Sequence, residues 1–296
     1  MRSRAQGLTL GERVTCLIRP RRPPIIAPMS QPWMLETPAP LADARLAYGE
    51  LTHQFADLRL PRGEGPHPVV VMVHGGFWRA KYDLDHVSHL CADLTQRGYA
   101  TWSLEYRRVG HPGGGWTGTF EDVARGMDFL RTLVPRYPLD LGRVVFLGHS
   151  AGGHLALWLA GRGRFPPGQP FHAQRPFVPR GVVSLAGVVD LERAHALRLS
   201  EGIVETFLGG TPEQVPERYR LASPSLLAPL GVRQVLVHGT EDTIVPLSLS
   251  TGYHARATAL GDSVRLVSLP GAGHFELIDP RDSQWPRIVE SIASLL

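Results

Sequence analysis

Gly148-His149-Ser150-Ala151-Gly152 sets a serine among small residues. It directly follows an apolar run, Arg143 to Leu147, that reads as a buried strand, and Gly153 to Ala160 continues as a helix. At such a strand-to-helix turn, glycines let the backbone fold sharply and the hydroxyl stands clear of the sheet. The first amides of the helix, Ala151 foremost, face any negative charge that develops on a substrate oxygen. The chemistry that fits is attack of the Ser150 hydroxyl on a carbonyl carbon. Five-residue patterns recur by chance in glycine-rich chains, so the flanking strand and helix carry this reading more than the pattern does.

A serine needs a base, and the base needs an orienting acid. His274 lies in Pro270-Gly271-Ala272-Gly273-His274-Phe275, a glycine-rich loop after the apolar run Val264 to Leu269. Asp242 lies in His238-Gly239-Thr240-Glu241-Asp242, just past the run Gln234 to Val237. Glu241 and Asp279 compete for the acid role, but Glu241 has the character of a solvated turn residue and Asp279 follows the histidine. About 75 residues before Ser150, His74-Gly75-Gly76-Phe77-Trp78 ends another apolar run, Pro68 to Val73. Its glycines allow close approach to a substrate carbonyl, so the amides of Gly75 and of Gly76 or Phe77 join that of Ala151 as an expected oxyanion hole. His74, at a strand end beside this loop, reads as a residue that fixes the loop and not as the base. Trp78, Trp116 and His149 are candidates for the substrate pocket, with packing as the alternative for each. His154, on the helix after the serine, reads as a packing residue.

These residues hang on a framework of alternating strand-like and helix-like runs from about residue 55 onward. Pro68–Val73, Tyr99–Leu104, Arg143–Leu147, Gly181–Leu185, Gln234–Val237 and Val264–Leu269 are the expected strands, several of them unbroken apolar runs as buried parallel strands are. The expected fold is α/β, a mostly parallel central sheet with helices on both faces. Phe120, Val123, Met127, Leu130 and Leu133 recur at helical spacing, with Thr119 placed to cap that helix. Pro286 through Leu295 reads as a final helix. Gly161 to Arg180 is a long Gly/Pro-rich loop, and about 190–230 reads as a small helical cap or lid insertion; both are surface decoration or walls over a pocket.

Composition narrows the function further. The chain has 296 residues, 43% hydrophobic and 20% charged, with a net charge of +4, the profile of an ordinary globular protein. Residues 1–28 carry six arginines against Glu12, a net +5, so 29–296 carry −1. The body is near neutral, and no nucleic-acid partner is expected. The first 28 residues have no apolar run long enough for a signal peptide or membrane helix. They read as a disordered extension to a single domain over 29–296, and no membrane partner is expected. Cys16 and Cys91 offer no disulfide framework, which makes a cytoplasmic setting the default. The thirteen histidines show no metal-binding spacing, so neither metal nor cofactor is expected.

With the chain order serine, acid, histidine in place, the sequence resembles the α/β-hydrolase superfamily along nearly all of residues 45–296. HGGFW, GHSAGGH, HGTEDTIVP and GAGHF are similar to the group that joins bacterial carboxylesterases, kynurenine formamidases and prolyl-oligopeptidase-like hydrolases. That resemblance implies a serine hydrolase of small carboxylic esters working through an acyl-enzyme. The HGGxW form at His74 to Trp78 implies an arylformamidase acting on N-formyl aromatic amines as the alternative. A non-catalytic binding module is a third reading. The expected partner is a small-molecule ester or amide, and the chain is expected to be a monomer or a homodimer. Glu105 to Arg108, Gly113 to Trp116 and Asp122 share the resemblance without a derivable substrate contact.

Overall fold

The structure is a computed structural model that describes residues 32–296; the expected extension over 1–28 and Cys16 lie outside the described residues. Eight strands form one sheet in the order β1-β2-β4-β3-β5-β6-β7-β8. They are β1 (Ala44–Ala47), β2 (Phe55–Arg59), β3 (His67–Val73), β4 (Ala100–Leu104), β5 (Leu139–His149), β6 (Gly181–Leu185), β7 (Arg233–Gly239) and β8 (Val264–Leu269). From β4 to β8 all neighbours run parallel, while β1 and β2 add an antiparallel edge. All six expected strands are present, and the sheet is that of an α/β hydrolase.

Alternation along β3 divides the core. Val69, Val71 and Val73 face one apolar cluster with Phe120, Val123 and Met127 of α3 (Gly118–Phe129) and Leu155 of α4 (Ala151–Ala160). Val70 and Met72 face the other, with Leu90 and Leu94 of α2 (Ser88–Gln96) and Ile288 and Ile292 of α10 (Trp285–Ala293). A two-residue period on strands buried on both sides demands this arrangement. Cys91 belongs to the second cluster as a buried free thiol. A short helix, α1 (Trp33–Glu36), contributes Met34 to it, and α9 (Leu247–Ala259) contributes Leu249 and Tyr253 to the first.

Thr119 does not cap α3. The helix starts one residue earlier, and the Thr119 hydroxyl donates to the Arg107 carbonyl while accepting from the Gly115 N–H. Between β6 and β7 lie α5 (Leu191–Ala196), α6 (Leu199–Leu208), α7 (Pro216–Ala222) and α8 (Pro224–Leu227). This insertion is anchored by Ile203, Val204, Phe207, Leu208 and Tyr219, all buried in the first cluster. The 161–180 loop is pinned likewise: Phe165 and Phe177 are buried, and Phe171 packs against Trp116, Phe120 and Trp158. Among the described residues no helix is long and apolar enough to cross a membrane.

Candidate active site

Ser150, His74–Trp78, Asp242 and His274 all lie just beyond the C-terminal ends of parallel strands β5, β3, β7 and β8. This end of an open parallel sheet is where loops gather over a site. Ser150 has φ 57° and ψ −121°, a conformation that side chains avoid unless their surroundings impose it. Here the Ser150 N–H donates to the Leu185 carbonyl at 2.8 Å, and its carbonyl accepts from His154 and Val188. The flanking glycines are required sterically: a Cβ on Gly148 would sit 2.0 Å from the Gly152 oxygen, and one on Gly152 2.0 Å from the Val73 oxygen. A Cβ on Gly75 would come 3.1 Å from the Ser150 Cβ, so the β3 loop lies against the serine.

That loop turns through positive φ at Gly76, Phe77 and Trp78. The amide N–H groups of Gly75, Gly76, Phe77 and Ala151 have no acceptor among the hydrogen bonds of the described residues. His74 is fully buried; its Nδ1–H donates to the Gly75 carbonyl at 2.8 Å, and its own carbonyl accepts from the Tyr106 hydroxyl at 2.7 Å. It fixes the loop, as its position after a strand suggests. Trp78 has no exposed surface: its ring stacks on Phe207 with centroids 4.4 Å apart, and its Nε1–H donates to His154 Nδ1. His154 Nε2–H in turn donates to the Ala222 carbonyl, and burial lowers this imidazole to about 4. Trp78 therefore takes the packing role, and His154 ties the serine helix to both the β3 loop and the insertion. Trp116 is half-buried against Phe120 and Phe171, and its N–H donates to the Phe207 carbonyl.

His274 and Asp242 meet at 2.6 Å, Nδ1 to Oδ2. The carboxylate accepts, so Nδ1 carries the proton and Nε2 keeps a free lone pair. Asp242 Oδ1 accepts the Ile244 and Val245 N–H groups, each at 2.8 Å. Burial pushes this carboxyl up, but the hydrogen bonds from His238 and His274 and from the Val245 amide outweigh it and hold it far below the usual carboxylate range. The competing acids lie elsewhere: Asp279 is bound by Trp33 and Arg281, and Glu241 is exposed. Among the side-chain hydrogen bonds of the described residues none joins Ser150 to His274. The two are linked through His149, which neighbours the serine in the chain and lies 4.5 Å from the His274 ring, centroid to centroid.

Two buried histidines, His238 and His86, escaped assignment at the level of sequence, and a third, His149, takes the packing alternative to its pocket reading. His238 donates to the Val245 carbonyl and contacts Asp242 at 3.4 Å, so it shapes the acid loop. His149 is buried behind His274 and donates to its carbonyl, and His86 contacts His149 in turn. The position of His238 at a strand end two residues before Thr240 was a usable signal; nothing local marks His86. The stretch Glu105–Arg108 with Asp122 is structural. Asp122 accepts from Gln54 and from three donors of Arg107, and Glu105 accepts from Arg108.

The model of the BD-FAE family matches residues 56–256. The chain belongs to the BD-FAE family. The matched BD-FAE region begins in β2 and ends in α9; it contains Ser150 and Asp242, and His274 lies beyond it. This BD-FAE member is 26% identical over 276 residues to a probable isoprenylcysteine alpha-carbonyl methylesterase of Arabidopsis thaliana, covering 87% of this chain and 56% of that one. It is 30% identical over 257 residues to Esterase LipC of Mycobacterium tuberculosis, covering 79% and 60%. The chain thus spans somewhat over half the length of these curated relatives. Its fold superposes on a truncated carbohydrate esterase from gut microbiota with a TM-score of 0.73, at 20% identity, covering 87% of this chain and 96% of that one.

Proposed function

We propose that this BD-FAE protein is a serine hydrolase of small carboxylic esters, with Ser150 as nucleophile, His274 as base and Asp242 as its orienting acid. The observation that carries the reading is the 2.6 Å His274–Asp242 hydrogen bond at the strand end that also presents the strained Ser150. The esterase names of the relatives support it.

In the proposed reaction, His274 Nε2 takes the hydroxyl proton as Ser150 Oγ attacks the ester carbonyl carbon. Negative charge passes to the carbonyl oxygen, which the free amides of Gly75, Gly76 or Phe77 and Ala151 receive. As the tetrahedral species collapses, His274 returns the proton to the departing alkoxide, leaving an acyl-enzyme. Water, deprotonated by the same imidazole, attacks the acyl carbonyl and releases the acid. Asp242 stays ionised throughout and stabilises the transient imidazolium. The insertion and the 161–180 loop wall the pocket in this reading, which also places the protein in the cytoplasm as a monomer or homodimer.

The test is release of nitrophenol from a short-chain nitrophenyl ester. A rapid burst followed by steady turnover is expected, with both lost in Ser150→Ala. Efficient turnover of N-formylkynurenine with poor ester cleavage moves the assignment to arylformamidase. Failure on both substrates, with no organophosphate adduct at Ser150, leaves a binding module instead.

A further inference from the structure

The reaction proposed above uses one side chain, Asp242, to orient His274, yet a second contact reaches the same residue from behind. His149 Nε2 lies 3.0 Å from the His274 carbonyl oxygen, and His149 Nδ1 lies 3.3 Å from His86 Nε2. Both rings are buried, with residue exposures of 1% and 6%. We propose that His149 and His86 form an uncharged hydrogen-bonded pair that holds the main chain of His274, and that both are positioning residues for the reaction proposed above, on which this inference rests.

The proton positions follow from the partners. A carbonyl oxygen only accepts, so His149 Nε2 carries a hydrogen. A buried imidazole with no carboxylate against it stays neutral, so His149 Nδ1 is bare and accepts. His86 Nε2 must then be the donor, and its Nδ1 is the bare nitrogen, buried and without a partner. Burial and the neighbouring histidines keep both imidazoles well below their ordinary range, His86 at about 3. One arrangement of protons satisfies both contacts, as Asp242 selects one tautomer of His274.

The loop needs such a hold. The loop before His274 is tied by the Gly271 N–H to Thr240 Oγ1 and by the Glu241 N–H to the Ala272 carbonyl, but those bonds stop short of the His274 peptide. Asp242 fixes the imidazole at Nδ1, which leaves the His274 peptide itself to be set by another contact. The hydrogen bond from His149 fixes the peptide on the far side. Because His149 immediately precedes Ser150, base and nucleophile are referenced to the same strand end. Gly75 meets this point as well: a Cβ there would lie 3.2 Å from His149 Nδ1. Misplacing a base by about 1 Å costs on the order of a hundredfold in rate, so the pair acts on kcat and leaves KM largely alone.

The experiment measures kcat and KM on the nitrophenyl ester for His149→Phe, His149→Gln, His86→Leu and the double variant His86→Leu/His149→Phe. His149→Phe is expected to lower kcat about tenfold with KM nearly unchanged, the scale of one positioned hydrogen bond. His149→Gln, whose amide N–H reaches the same carbonyl, restores most of it. His86→Leu lowers kcat less, and adds nothing in the His149→Phe background. Where the phenylalanine variant does not fold, His149→Asn replaces it: its shorter amide cannot reach the carbonyl, and it should fall below His149→Gln. Proton NMR gives an arm independent of turnover. The low-field proton on His274 Nδ1 should stay sharp in His149→Gln and broaden in His149→Phe or His149→Asn. Wild-type kcat in His149→Phe, equal losses in the glutamine and phenylalanine variants, or independent losses at His86 and His149 overturn the pair. An inactive wild type, or full activity in Ser150→Ala, strikes the esterase reading instead and leaves the NMR arm to decide this one.

Discussion

Two carboxylates are buried beyond the strand ends of this molecule, and their partners differ in kind. Glu105, after β4, faces Arg108 Nη2 at 2.8 Å and His74 Nε2 at 3.4 Å, and accepts the Tyr106 and Leu84 amides. Asp242, after β7, faces only histidines among its ionisable partners in the described residues, His274 at 2.6 Å and His238 at 3.4 Å. Burial raises both carboxyls, and their partners more than reverse it. A carboxylate neutralised by a guanidinium is already spent on structure, because the cation is permanent. A carboxylate paired with neutral imidazole keeps its charge in reserve for the moment that the imidazole gains a proton. The same side-chain chemistry therefore holds a loop in one place and, in the proposed reading, prepares a reaction in the other.

Exchanging each acid for its amide puts that contrast at risk. Asp242→Asn should lower kcat by about ten-thousand-fold through the wrong tautomer of His274, while the protein still folds. Glu105→Gln should do the reverse: stranding Arg108 costs about 3–5 kcal/mol in urea unfolding, with a far smaller loss of kcat. If Asp242→Asn unfolds the protein while Glu105→Gln abolishes turnover, the two roles are exchanged.

Acid sharpens the comparison with smaller effects. His86 and His154 are held at about 3 and about 4, below the unfolded value of about 6.5. The unfolded chain therefore binds protons first, and stability falls as pH drops from about 6.5 towards those lower values. The carboxyls of Asp242 and Glu105 are also depressed, so their contribution is present above about 4 and is lost below it. Urea unfolding across this range should show both declines, with His154→Gln flattening the upper one and Asp242→Asn the lower. A wild-type profile level from pH 7 to 4 would remove the buried neutral histidines from the account.

What the sequence disclosed follows the range of the forces involved. The six parallel strands were legible because a strand buried on both faces must be apolar throughout. β1 was missed because its run, Ala44-Arg45-Leu46-Ala47, alternates half-buried and exposed positions, and β2 because its buried run, Phe55-Ala56-Asp57-Leu58-Arg59, includes two charged residues. Ser150 announced itself because its turn needs glycines two residues to either side. His149 and His154 were visible only as occupants of that turn and the next helix, since their acceptors lie 125 and 68 residues away. Trp78 left pocket and packing equally open until the insertion supplied Phe207 as its neighbour.

That stacking bears on any attempt to alter the selectivity of the proposed esterase. The insertion offers Phe207 to the ring of Trp78 and its carbonyl to the amide of Trp116, and Arg79, next to Trp78, donates to the Ser200 carbonyl of the insertion. A segment transplanted from a relative between β6 and β7 would thus change the support beneath the β3 turn along with the wall of the proposed pocket. Redesign of selectivity in this scaffold has to treat the two as one inherited part.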